Sequence, residues 1–68
     1  MKLSARNVLP GVVVEITKGA VNAIVRIDIG GTVVTSSITN AAVEDLGLVV
    51  GENAYAVVKA SDVLIGKD

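Results

Sequence analysis

Two short segments carry the chemistry of this chain: Ser4-Ala5-Arg6-Asn7 near the start and Lys59-Ala60-Ser61 near the end. Each sets one cation beside one hydroxyl, in a sequence of 68 residues of which 51% are hydrophobic. The chain has no His, no Cys, no Trp and no Phe. Without histidine and cysteine, no Ser–His or Cys–His nucleophile pair and no thiolate or imidazole metal site can be assembled, and no paired carboxylates stand out as an acid–base couple. The expected class is therefore a binding protein and not an enzyme, with no metal held as a bare cation. Guanidinium, ammonium, hydroxyl and backbone N–H groups remain, and all of these are donors suited to an anion.

Arg6 offers a planar fork of N–H groups and Lys59 a compact ammonium, while Ser4 and Ser61 offer hydroxyls that rotate to suit. Ala5 and Ala60 leave the main chain open to close approach. Taken singly, Arg6 reads as an ordinary surface arginine and Lys59 as a lysine snorkelling from the end of an apolar strand. Their joint placement carries the anion reading. The net charge is −1 and the pI about 5.1, so an anion must be held by a local site and not by a global field. That balance, with Tyr55 as the sole aromatic, also counts against a nucleic-acid surface, which needs a basic groove and stacking rings.

The elements that must position these groups read mainly as strands. Val12 to Lys18 is β-branched and ends at Gly19. From Val21 the pattern alternates, with Val21, Ala23, Val25, Ile27 and Ile29 on one face and Asn22, Arg26 and Asp28 on the other. Gly30-Gly31 is a two-residue hairpin signal, followed by a strand from Thr32 to about Thr39. Asn40 reads as the N-cap of a two-turn helix closed by Gly47. Gly51-Glu52-Asn53 reads as a turn, Ala54–Lys59 as a fourth strand and Asp62–Ile65 as a short fifth. This order predicts an all-β domain over residues 1–68, a small five-stranded OB-like Greek-key barrel with one short helix. A small open meander is the competing architecture.

A domain this small buries little surface and has neither disulfide nor metal to staple it. Its high mean hydropathy exceeds what one small core absorbs, which predicts burial between subunits. No apolar run reaches the length of a membrane span and no signal peptide is visible. The absence of cysteine fits a reducing compartment. Opening at Met1 and closing soon after the last expected strand, the sequence reads as a complete protein.

The segment Ser4-Ala5-Arg6-Asn7, then Gly11 with a valine-rich strand, resembles the opening of the Mop, or molbindin, family. The resemblance runs on through Lys18-Gly19, Ser37-Ile38-Thr39, Leu46-Gly47-Leu48, Gly51 and Val58-Lys59-Ala60-Ser61, in order along nearly the whole chain. It implies a cytoplasmic OB-like protein for storage and homeostasis of molybdate or tungstate, with no organic cofactor. It further implies a homohexamer, a trimer of dimers with oxyanions bound between subunits and neither nucleic acid nor membrane as partner. The alternative within the family is the oxyanion-sensing domain of a molybdate-responsive regulator or transporter. By the same resemblance Ser4, Ala5, Arg6, Lys59, Ala60 and Ser61 form the oxyanion site, and Thr39 reaches the anion from a neighbouring subunit. A second oxyanion site falls on Lys18, Gly19, Ala20, Val21 and Asn22, where a tight turn between strands is the plainer reading. The ionic radii and charges of molybdate and tungstate are too close for this donor set to separate them.

Overall fold

The computed structural model describes residues 1–68. It holds four strands and one helix: β1 (Asn7–Lys18), β2 (Asn22–Asp28), β3 (Val33–Thr39), α1 (Asn40–Leu46) and β4 (Asn53–Val58), followed by a 3₁₀ turn at Ala60–Asp62. All pairings are antiparallel, in the order β3-β2-β1-β4. The sheet therefore has four strands where five were expected. Asp62–Ile65 forms no strand: Asp62 closes the 3₁₀ turn, and the apolar residues after it pair with nothing. The meander alternative describes only β1 to β3, because β4 crosses back to the far side of β1.

β1 is the spine. Its first half, Asn7 to Val12, pairs with β4, and its second half, Val12 to Lys18, pairs with β2. A bulge at Val14 lies between the paired residues Val13 and Glu15, and it flips the inward set from Leu9, Gly11 and Val13 to Ile16. A bulge bends and twists its strand, which is what curls this sheet. β1 begins five residues earlier than expected and runs through Pro10 and Gly11, residue types uncommon inside strands. Pro10 falls in the half of β1 that β2 does not reach, where a missing N–H can face an unpaired edge. Gly11 is there for space: a Cβ on it would lie 2.5 Å from the Asp28 carbonyl oxygen and 2.6 Å from Ile27 Cγ2.

The alternation from Ala23 to Ile27 survives intact, with Ala23, Val25 and Ile27 buried beside Val13, Val43 and Ala56. Val21, expected on that face, lies outside β2 and is exposed. Gly30 and Gly31 both take positive φ, and Ile29 N–H donates to the Thr32 carbonyl across them at 2.9 Å. The Asp28 carboxylate accepts from the backbone N–H of Gly31 (2.8 Å) and Gly30 (2.9 Å), and these bonds hold its pKa below the usual carboxylate range.

The N-cap of α1 is Thr39 and not Asn40. Thr39 keeps extended backbone as the last residue of β3, and its hydroxyl accepts from Ala42 N–H at 3.0 Å. Asn40 instead staples α1 to the β1–β2 turn. Its side-chain amide donates to the Gly19 carbonyl (2.9 Å) and its backbone N–H to the Val21 carbonyl (2.7 Å). Gly47 closes the helix in the left-handed region, as expected.

Gly11→Ala forces β1 away from β2, and overpacking of this kind costs about 1–3 kcal/mol. Urea denaturation at fixed protein concentration should show that loss, whereas Gly66→Ala, with open space around its Cβ, should leave the midpoint unmoved.

Candidate functional site

Register places the two chemical segments together. The last β1–β4 pair is Asn7 with Val58, so Arg6 and Lys59 each sit one residue beyond it, at the same end of the sheet. Ser4-Ala5 and Ala60-Ser61 flank that end, one leading into β1 and the other following β4. Asn7 fastens it, donating from its side-chain amide to the Val58 carbonyl at 3.2 Å. Arg6, Lys59, Ser4, Ala60 and Ser61 are all exposed, and Ala5 is half-buried.

Ion pairing separates these cations from Lys18 and Arg26, the two that lie within the β1–β2 ladder. Lys18 is ion-paired with Glu44, and Arg26 lies 3.6 Å from Glu15 across the β1–β2 ladder. Arg6 and Lys59 have no carboxylate partner. The 3₁₀ turn is closed by Asp62 N–H on the Lys59 carbonyl (2.9 Å) and Val63 N–H on the Ala60 carbonyl (3.3 Å). The N–H groups of Ala60 and Ser61 have no acceptor within the chain. Two free cations, two serine hydroxyls and two free amides thus gather at one sheet end. Such a set can bind a small multivalent anion by charge-assisted bonds without moving a proton.

Thr39 is not with them. It pairs with Asn22 at the opposite end of β1, beside Lys18, and the twelve residues of β1 would span about 36 Å if straight. Its hydroxyl oxygen is engaged by Ala42 N–H, which leaves the hydroxyl proton available for donation. Within one chain Thr39 and Arg6 therefore cannot share a ligand.

The segment Lys18, Gly19, Ala20, Val21, Asn22 is a tight turn. Gly19 N–H donates to the Asn22 carbonyl at 2.7 Å, and Lys18 is held by Glu44, so two of the donors expected there are already used. Ala20 and Val21 keep N–H groups without a backbone acceptor. Glu44 pairs with Lys18 from 26 residues away, a contact that no local sequence pattern announces. Asn40 has a buried Oδ1 with no donor beside the staple to Gly19.

The chain belongs to the TOBE domain family, whose model matches residues 3–65. It is 57% identical, over 97% of either chain, to a probable molybdenum-pterin-binding protein of Haemophilus influenzae. Its fold matches that of a molybdate binding protein from Sporomusa ovata with a TM-score of 0.93 at 43% identity, covering 98% of this chain and 100% of that one. It also matches the cytoplasmic molybdate-binding protein ModG in its molybdate-bound form, with a TM-score of 0.89 at 51% identity. That match covers 94% of this chain and 46% of the ModG chain, so the chain spans about half of ModG. The molbindin resemblance read from Ser4-Ala5-Arg6-Asn7 onward is borne out by these relatives.

Glu44 supplies a pH test. The Lys18 ammonium, by hydrogen bond and then by charge, holds the Glu44 carboxyl below its ordinary pKa. A carboxylate so depressed adds stability above its unfolded pKa and loses it as pH falls through the folded one. Carboxyl-carbon NMR titration should place the Glu44 midpoint below the ordinary glutamate value, and Lys18→Ala should return it there.

Proposed function

We propose that this protein binds molybdate or tungstate between subunits of a homo-oligomer, as an intracellular store that buffers the oxyanion in the cytoplasm. The observation that carries this reading is the pairing of Arg6 with Lys59 at one sheet end, both without carboxylates, beside the free amides of Ala60 and Ser61. Family membership and the roles of these relatives support the ligand class. A tetrahedral dianion with only acceptor atoms needs donors from several directions. One chain supplies Ser4, Arg6, Lys59, Ala60 and Ser61; a second chain supplies Thr39, because its own Arg6 lies at the far end of β1. A trimer of dimers is the assembly we propose. The turn at Ala20 and Val21 is a weaker second site, built on main-chain N–H groups.

A hydrogen bond to a charged group contributes about 1.5–3 kcal/mol, so Arg6→Ala and Lys59→Ala should each weaken molybdate binding roughly ten- to more than a hundred-fold. Ser4→Ala should cost about 1 kcal/mol. Arg26→Ala, already paired with Glu15, is the control. Isothermal titration reads these changes, and it should find sulfate much weaker than molybdate or tungstate, since the smaller anion cannot touch every donor. Unchanged binding in both cation variants would discard the site.

Chain mixing tests the division between subunits. Oligomers co-assembled from Arg6→Ala and Thr39→Ala chains should regain intact sites, because one chain keeps the cations and the other the threonine. Arg6→Ala mixed with Lys59→Ala should regain none, since both cations of a site come from one chain. Rescue in the second mixture alone would reverse the assignment.

A further inference from the structure

One side of α1 is turned to the β1–β2 turn, and two of its residues act there. Asn40 and Glu44 stand four positions apart, so they lie on the same side of the helix. Asn40 binds the carbonyls of the turn, with its side-chain amide on Gly19 (2.9 Å) and its backbone N–H on Val21 (2.7 Å). Glu44 binds the ammonium of Lys18. The strand brings Lys18 to it. Beyond the bulge in β1, Ile16 and Lys18 share the inward face, and Lys18 pairs with the buried Ala23. Lys18 therefore leaves the sheet on the side where Val43 of α1 is packed.

The turn offers one cation and two amides, Ala20 and Val21, that have no backbone acceptor. This is a donor set for an anion, and it differs from the Arg6–Lys59 end in one respect. At that end neither cation has a carboxylate, whereas here a carboxylate already sits on the lysine. A carboxylate meets an ammonium with the same kind of acceptor oxygen that an oxyanion carries. The pair is also within reach of solutes, since the two side chains are 47% and 69% exposed. The open groove between the β3 and β4 edges, by contrast, is lined mainly by apolar residues and by no charged side chain, and it offers an anion nothing.

We propose that Glu44 is a built-in competitor for the anion site of the β1–β2 turn: an oxyanion engages Lys18 together with the Ala20 and Val21 amides only by taking Lys18 from Glu44. This inference rests on the reading of the turn as a second anion site and adds what regulates it. Because Asn40 ties α1 to the turn, the displaced carboxylate stays close and opposes the incoming dianion by charge. The turn is thereby the weaker of the two sites although its donors are of the same kind. Glu44 touches no ligand; it acts through Lys18.

The test is an NMR titration with molybdate at low salt, in a chain carrying Arg6→Ala and Lys59→Ala so that the first site is disabled. The amides of Ala20 and Val21 should shift on titration, and the Glu44 carboxyl carbon should move along the same curve as Lys18 leaves it. Glu44→Gln in this chain should bring the amide midpoint to roughly three- to ten-fold lower molybdate. The Ala42 amide, bonded to the Thr39 hydroxyl, reports in every variant that α1 is intact. Asp45→Asn removes an equal charge from the neighbouring position and should leave the midpoint nearly in place. An unchanged midpoint in Glu44→Gln, a still Glu44 carbon, or equal tightening by Asp45→Asn would overturn the competition while leaving the turn as an anion site. No amide shift in any variant would overturn the competition and the second site together. The Arg6–Lys59 site is measured separately by calorimetry and stands or falls on that result.

Discussion

The contact between Gly11 and the end of β2 governs the rest of the structure. β1 must serve β4 with one half and β2 with the other, and the change of partner falls at Val12, which pairs with both Asp28 and Asn53. At that point β1 and β2 come so close that a single methyl group would strike backbone. The bulge at Val14 then turns the strand, and the inward positions change parity. Without both features the buried set of Val13, Ala23, Val25, Ile27, Val43 and Ala56 could not face one interior, because a one-residue slip in register sends side chains to the opposite face.

The same register brings the proposed anion donors to one end of the sheet. Solvent screens ion pairs at the surface, so the exposed pairs Lys18–Glu44 and Arg26–Glu15 add little to stability. Their larger effect is on the distribution of charge: two cations near the β1–β2 ladder are neutralised, while the two at the Asn7–Val58 end remain free. A chain of net charge −1 can then hold an anion locally, without a basic field that would attract nucleic acid.

Features set by a residue and its close neighbours were legible in the sequence. Gly30-Gly31 needs positive φ, Gly47 needs the left-handed region, and the alternation from Ala23 to Ile27 needs only two faces of different wetness. Features set by pairing were not. Pro10 and Gly11 look like breakers until the close approach of β2 explains the glycine and the free edge accommodates the proline. Thr39 and Asn40 are both good caps by type, and the winner was decided by where β3 ends and by the Gly19 carbonyl that claims the Asn40 amide. Val63–Ile65 has the composition of a strand, but a strand exists only opposite a partner, and this chain offers none at that place. As for the site, the residue types of Ser4, Arg6, Lys59 and Ser61 were readable. The adjacency of the two segments on one chain was not, because it depends on the Asn7–Val58 pairing across a sequence separation of 51.

Two kinds of surface remain unfilled on the single chain, and their chemistry keeps them apart. The end carrying Arg6 and Lys59 is polar and rich in donors, and it suits a hydrated anion that gives up water for charge-assisted bonds. The β3–β4 groove and the outward residues Val8, Val12, Tyr55 and Val57 are apolar, and for them burial against protein is the favourable exchange. Only six residues are buried in the chain alone, and many large apolar side chains stay exposed. The self-association proposed above would bury that surface. Asp62 alone separates the proposed anion donors Lys59, Ala60 and Ser61 from the exposed apolar tail Val63–Ile65, so burial of that tail on self-association would restrain the donors as well.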